Sequence, residues 1–220
     1  MTRLAIFDCD GTLVDSGATI HRALRRTFDQ HGHDCPPRAV TQKVIGLSLE
    51  EAMASLVPGG DYQALATTYK QAFVDLRGAG EVEEPLFDGI VETLDALETE
   101  GWLLGVATGK SLRGLKHCLA SHGLEGRFVT LQTADTNPSK PHPGMALTAM
   151  AEAGAEPART IFVGDTAWDM GCARAAGCAA IGAAWGYHTV EELEADGAHH
   201  VAAHPREIAA LAASWIGEDA

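Results

Sequence analysis

The chain has 220 residues, 46% hydrophobic and 21% charged, which suits one large domain, or a domain with a sizeable insertion, and excludes wholesale disorder. A net charge of −14 argues against nucleic acid or an anionic membrane as the main partner, since both need a basic surface, but leaves a small anionic substrate open. Five irregularly spaced cysteines predict reduced thiols. With no apolar run near the ~18 residues of a membrane span and no room for a signal peptide before Leu4, the expected location is cytoplasmic.

Leu4-Ala5-Ile6-Phe7 predicts a buried strand that delivers Asp8 and Asp10 to its C-terminal end, where Gly11-Thr12 forces a turn. Period-two geometry puts the two carboxylates on one side and Cys9 on the other, as a buried inert thiol. Neighbouring carboxylates raise each other's pKa unless a cation or a division of roles separates them. The pair therefore calls for a metal, a proton-transfer task, or both. Ile20, Ala23, Leu24, Thr27 and Phe28 then recur at helical spacing, up to the break at His31 to Pro37. Short helices are expected at 38–45 and 48–56, the second opened by a Ser48/Glu51 capping box, and a longer one at 62–77. No strand is expected between Ser16 and Glu84, so this is a helical block of its own, closed by the acidic linker from Gly78 to Pro85.

From Pro85 the pattern alternates. Helices are predicted around Ile90, Leu94 and Leu97, then at 112–121, 143–153, 169–176 and 205–216. Strands are predicted at 103–107, 128–131, 160–163 and 179–181, with a weaker one at 200–202. Such alternation means a parallel sheet with helices on both faces, and a binding site beyond the C-terminal strand ends. Asp8 and Asp10 stand at the first of those ends, Thr108 at the second and Asp165 at the fourth, with Asp169 four residues on. Lys140 lies in the loop after the third strand. A single Asp at a strand end or helix start is commonly a cap, and a loop lysine is commonly solvated; the convergence of all of them on one rim is not common.

An all-oxygen site of this kind suits Mg²⁺ better than zinc or copper. Thr108 and nearby backbone N–H groups can donate to phosphoryl oxygens, and Lys140 adds a point charge. One Asp can then act as nucleophile, while the second protonates the leaving alcohol and deprotonates the attacking water. The spacing fits phosphoryl transfer through a phosphoaspartate. The run from Gly105 to Ser111 ends like a P-loop but has one residue too few between its glycines. His31, His33 and Cys35 lack a fourth ligand at metal spacing and read as a polar loop. Asp15 and Ser16 read as helix-start residues, Arg22, Arg25 and Arg26 as a solvated face from which one can reach a substrate carboxylate, and Trp168 as either a rim contact or a packing residue.

The residues from Asp8 to Ser16, Thr108, Lys140 within Ser139 to Met145, and Gly164 to Met170 together resemble the four motifs of the haloacid dehalogenase superfamily, most closely its phosphoglycolate phosphatase-like members. The resemblance spans the whole chain. It implies a Rossmann-like α/β core from 1–15 and 85–220, and an inserted all-helical cap from 16–84 hinged at Gly17 and at the Gly78 to Glu84 stretch. It also implies that Asp8 is the nucleophile and Asp10 the general acid/base. Mg²⁺ would be held by Asp8, the Asp10 carbonyl and Asp165, with Asp169 in support. Lys43 and Gly46-Leu47-Ser48 are the expected substrate-facing loop of the cap. Many relatives carry Asn where this chain has Gly109, so an amide donor beside the substrate is expected to be absent. The activity so implied is Mg²⁺-dependent hydrolysis of a small phosphorylated metabolite such as phosphoglycolate. The alternatives are a phosphomutase of the β-phosphoglucomutase kind, a pyrophosphatase, and a non-catalytic binding protein on the same scaffold. Monomer and homodimer stay equally open.

Overall fold

A computed structural model describes residues 1–218. Strand β1 (Thr2–Phe7) is followed by four helices, α1 (Gly17–His31), α2 (Arg38–Gln42), α3 (Leu49–Leu56) and α4 (Tyr62–Gly78). The alternating part runs α5 (Ile90–Thr99), β2 (Trp102–Thr108), α6 (Leu112–Ser121), β3 (Phe128–Thr133), α7 (Gly144–Ala153) and β4 (Ala155–Gly164). It continues through α8 (Ala167–Ala176), β5 (Ala179–Ala183), α9 (Val190–Ala195) and β6 (His200–Ala202) to a 3₁₀ turn (Pro205–Glu207) and α10 (Ile208–Glu218). The six strands form one all-parallel sheet in the order β3-β2-β1-β4-β5-β6, so the α/β architecture expected from the alternation is present. No helix among the described residues is long and apolar enough to cross a membrane.

β1 lies in the centre and its alternation divides the core. Ala5, Phe7 and Cys9 enter a cluster with Leu94, Val106, Leu115 and Ile208, whereas Leu4 and Ile6 enter another with Met145, Phe162 and Met170. Every one of these side chains is at most 2% exposed, so a core truncation such as Leu94→Ala should cost about 2–5 kcal/mol. The same parity carries Asp8 to the Leu4 and Ile6 side. The helices between β1 and α5 have smaller clusters of their own, Leu24, Phe28, Met53 and Leu65 in one, and Ala23, Ala72 and Leu76 in the other. The chain enters and leaves this block side by side: Asp15 N donates to Pro85 O, Phe87 N donates to Leu13 O, and Val14 bridges Leu86.

Three details differ from the sequence reading. β4 begins at Ala155, not at Thr160, because a register shift lets its polar, proline-containing start extend the pairing with β1. α9 was not expected, since Leu193 is its one buried residue and leaves no periodicity; a Thr189/Glu192 capping box starts it. At α3 only half of the expected box forms: Ser48 accepts from Glu51 N, with no reciprocal bond.

Candidate active site

β1 places Asp8 at the mouth of the core with no solvent exposure. Gly11, at φ 94°, turns the chain so closely against Asp165 that a Cβ there would stand 2.2 Å from Oδ2. Any side chain would displace the carboxylate. Thr12 Oγ1 donates to Asp165 Oδ1 at 2.8 Å and Tyr187 N donates to Oδ2 at 2.9 Å. Asp169 sits in the first turn of α8, where its Oδ2 accepts from Thr166 N and Oγ1 in a capping box. Its other oxygen accepts from Lys140 Nζ at 2.6 Å. Cap and possible ligand are thus the same residue, using different oxygens.

Lys140 is wholly buried, with Nζ 3.0 Å from Asp8 Oδ1 and 3.3 Å from the Ala107 carbonyl that it donates to. Burial opposes its charge, but Asp169 and Asp8 outweigh burial and hold its pKa above the ordinary lysine value. Asp8 is different. Burial pushes its pKa up to about 7, Lys140 opposes the rise, and Asp169 and Asp10 add to it. Burial, then Asp169 and Asp8, likewise raise Asp165 well above the carboxylate range. The ion pair to Lys140 is not aligned as a hydrogen bond, so both Asp8 oxygens are buried without a hydrogen-bond partner. Asp8, Asp165 and Asp169 each offer an oxygen within 4.8 Å of the others. Fully ionised, three carboxylates and one ammonium would leave two negative charges uncompensated in the interior, in keeping with the upward shifts of Asp8 and Asp165. A hard divalent cation fits this donor set in charge and in ligand type.

Asp10 leaves the strand direction at the Gly11 turn and meets other partners. Its Oδ1 accepts from Ser16 Oγ at 2.6 Å and from Lys110 Nζ at 2.7 Å; Lys110 also donates to Glu84 Oε1 at 2.8 Å. None of the Asp10, Lys110 and Glu84 side chains is more than 9% exposed. Burial works against the Lys110 charge, and Asp10 and Glu84 overcome it, raising its pKa well above the usual value. Neither Lys110 nor Glu84 is among the site residues expected from the sequence. The available signal was that Lys110 follows Thr108-Gly109 directly at a strand end. Ser16, read as a helix-start residue, stands at the N-cap of α1 but gives its hydroxyl to Asp10, while Tyr187 OH accepts from Gly17 N and donates to Asp15.

Thr108 ends β2 in a buried position, its Oγ1 accepting from Lys110 N. At Gly109 a Cβ would lie 2.2 Å from Leu47 O and 2.8 Å from Gly46 O, so the 46–47 backbone rests directly on this residue. Ser48 N donates to Ser139 Oγ, beside Lys140. Gly46 therefore reaches the rim, but Lys43 does not: its ammonium pairs with Glu192 of α9, and its carbonyl accepts from Trp168 Nε1. Arg22 and Arg26 pair with Glu81 and Glu83, and Arg25 is exposed. His31 bonds to Thr68 and Cys35 is a free thiol, so the polar loop shows no metal grouping. Cys9 is buried, 3.9 Å from Cys118 Sγ, and that contact together with burial raises its thiol pKa. Between the helical block and the rim lies a cavity of about 540 Å³ that Asp10 lines.

A family model described as "Haloacid dehalogenase-like hydrolase" matches residues 5–183. The chain is similar to "Probable phosphatase IndB" of Dickeya dadantii, 38% identical over 200 residues covering 89% of this chain and 86% of that one. It is also similar to a phosphoglycolate phosphatase of Xylella fastidiosa, 33% identical over 194 residues covering 86% and 83% of the two chains. Among solved structures, a hydrolase from Pseudomonas syringae matches with a TM-score of 0.85 at 26% identity, over 97% of this chain and 99% of that one.

Proposed function

The chain belongs to the haloacid dehalogenase-like hydrolases, and from that premise we propose that it hydrolyses a small phosphate monoester with Asp8 as nucleophile and Mg²⁺ as cofactor. The observation that carries the reading is Asp8 itself: a fully buried carboxylate with both oxygens free of hydrogen bonds, beside the Lys140 ammonium. A structural aspartate in a core would have its oxygens satisfied. Asp8, Asp165 and Asp169 are the side chains that would hold the cation, with the Asp10 carbonyl expected to join them. Bound there, Mg²⁺ supplies charge neutralisation for the phosphoryl group and for the carboxylates around it.

The chain's own groups have separate tasks. Lys140 favours the ionised form of Asp8 and offsets the charge of phosphoryl oxygens brought against it. The Thr108 hydroxyl donates to one of those oxygens. Asp8 attacks phosphorus to give a phosphoaspartate, and Asp10 gives a proton to the departing alcohol. Asp10 then takes a proton from the water that hydrolyses the phosphoaspartate. Ser16 and Lys110 fix Oδ1 of Asp10, which leaves its other oxygen to carry the proton. Residues 16–84 act as a cap whose 46–48 loop closes on Gly109 and Ser139 and keeps bulk water from Asp8. Phosphoglycolate, which gives the Xylella relative its name, is the reference substrate.

The test is phosphate release from p-nitrophenyl phosphate with Mg²⁺ and with excess EDTA, for the unaltered chain and for Asp8→Asn. Release that needs Mg²⁺ and drops by about 10⁴-fold or more in the variant, with Tm maintained, is the expected result. Full turnover by Asp8→Asn would sink the mechanism.

A further inference from the structure

In the mechanism above, the departing alcohol must sit beside Asp10, and beside Asp10 lies the cavity of about 540 Å³. Its size does not suit glycolate. A leaving group of so few heavy atoms displaces on the order of 100–150 Å³ at a water-like ~30 Å³ per heavy atom, which would leave most of the space to water. Its walls do not suit water either. On the helical side they include Ile20, Leu24, Val44, Ile45, Tyr69 and Phe73, and Leu24, Val44 and Ile45 are buried. Water held against such a surface is released favourably when an apolar body replaces it.

The charges point the same way. A glycolate carboxylate beside Asp10 would need a cation to receive it. The one at hand, Lys110, already serves Asp10 and Glu84. Lys70 and Arg113 also line the cavity but are exposed at its rim, and the Arg77 guanidinium lies 5.5 Å from the Phe73 ring centroid. On the side of the sheet the polar groups are Ser111, Asp135, Asn137 and Ser139; the helical side adds Ser48, Glu50, Lys70 and Arg77, of which Glu50 and Lys70 are exposed. The Tyr69 hydroxyl makes no hydrogen bond to any described residue, and burial raises its pKa, so it stays a neutral donor. The cavity therefore has an apolar and aromatic surface on its helical side, with hydrogen-bonding groups opposite it and charged groups beside it.

We infer that the preferred substrate is a phosphate monoester whose leaving alcohol carries a ring-sized, largely apolar body with polar atoms along one edge, not glycolate. The inference rests on the phosphatase reading and narrows it. Holding such a body against Tyr69 and Phe73 places the ester oxygen next to Asp10, while the phosphoryl group reaches Asp8.

The experiment compares kcat/KM, with saturating Mg²⁺, for 2-phenylethyl phosphate, ethyl phosphate and 2-phosphoglycolate, with p-nitrophenyl phosphate as the general reporter. The first two esters have similarly basic leaving groups, so their ratio reports the body and not the chemistry. Expected is a preference of at least about tenfold for 2-phenylethyl phosphate over the other two alkyl esters, of the size that burial of a few methylene groups gives. In Phe73→Ala the ratio of 2-phenylethyl to ethyl phosphate should fall by about tenfold. If that variant does not fold, Ile45→Phe, which narrows the same cavity, should lower the same ratio. Equal turnover of all three alkyl esters, or preference for 2-phosphoglycolate, overturns the inference and leaves the phosphatase reading standing. Phosphate release from none of the four, the reporter included, overturns the phosphatase reading and the inference with it.

Discussion

The rim at the strand ends and the cavity above it differ in almost every physical respect. At the rim, Asp8, Asp165, Asp169 and Lys140 are wholly buried and interlocked by ion pairs and hydrogen bonds. Such a cluster is sensitive to the loss of any one member, because the remaining charges stay buried and uncompensated. The upper wall of the cavity belongs to helices with small apolar clusters, and of the charged groups that line it Glu50, Lys70, Arg113 and Asp135 are exposed. One region has little freedom and fixes what reaction can occur. On the proposed reading, the other is freer to change and decides which molecule fits. If that division holds, substitutions at the rim should act on rate and stability for every substrate, and substitutions around the cavity should act on substrate choice.

The largest effect at the rim is the loss of turnover in Asp8→Asn described above. Next is Lys140→Met. It removes the cation shared by Asp8 and Asp169 and should cost about 3–5 kcal/mol of stability, read by denaturant unfolding of the metal-free chain. A variant of undiminished stability would break the comparison, since the rim would then not depend on its charge pairing. Metal binding probes the same imbalance from the other side. Mg²⁺ at about a hundred times its dissociation constant should add about 2.7 kcal/mol, a rise in Tm of several degrees. The sign with pH follows from Asp8. Its pKa in the metal-free fold is raised from 3.8 to about 7, so deprotonation opposes folding progressively as pH rises through that interval. The Tm gain from Mg²⁺ should therefore be larger at pH 8 than at pH 5. A gain that shrinks with rising pH would contradict the assignment.

These two regions also differ in how far they could be read from the sequence. Asp8 and Asp10 follow an apolar run, and Asp165 and Asp169 follow another. Strand parity and a helix start are local facts, so their meeting at one rim follows once the sheet is parallel and β1 lies beside β4. The division of β1 between two core clusters was legible for the same reason. Lys110 was not. Its role depends on Glu84, 26 positions away, and Asp10, 100 positions away, and its place directly after Thr108-Gly109 is the one local sign that sets it apart from a solvated loop lysine. Lys43 shows the reverse: a loop cation expected at the substrate is taken up by Glu192 on a helix too short to show periodicity. The cavity is the extreme case, because its volume is a property of how the helices sit on the sheet.

Lys110 lies between the regions and sharpens the comparison. Lys110→Met leaves Asp10 held by Ser16 alone and Glu84 without its partner. If Lys110 positions Asp10 for proton transfer, kcat for ethyl phosphate should fall by about 10²–10³-fold, within the range that general acid catalysis supplies. The fall for p-nitrophenyl phosphate should be much smaller, because its leaving group departs without a proton. Equal losses on the two esters would show that Lys110 supports the fold around the site and not the acid.

The smallest expected effect belongs to Gly109, where sequence and structure give opposite signs. The sequence alone presents this position as a missing amide, and on that ground alone Gly109→Asn would be expected to supply a donor. The structure presents it as space: a Cβ here would stand 2.2 Å from the Leu47 carbonyl, and backbone cannot yield as the tip of a side chain does. The 46–47 segment would have to lift from the rim, and the Ser48 to Ser139 hydrogen bond beside it would lengthen. Both Gly109→Ala and Gly109→Asn should then lower kcat/KM by about tenfold, mostly through KM, with Tm almost unchanged, since the contact joins two regions that each have a core of their own. Alanine is the decisive substitution because it adds the Cβ and no amide. Loss with alanine and recovery with asparagine would mean that the helical block accommodates the longer side chain by resting elsewhere, and the closed contact at Leu47 would no longer define the position from which it selects a substrate.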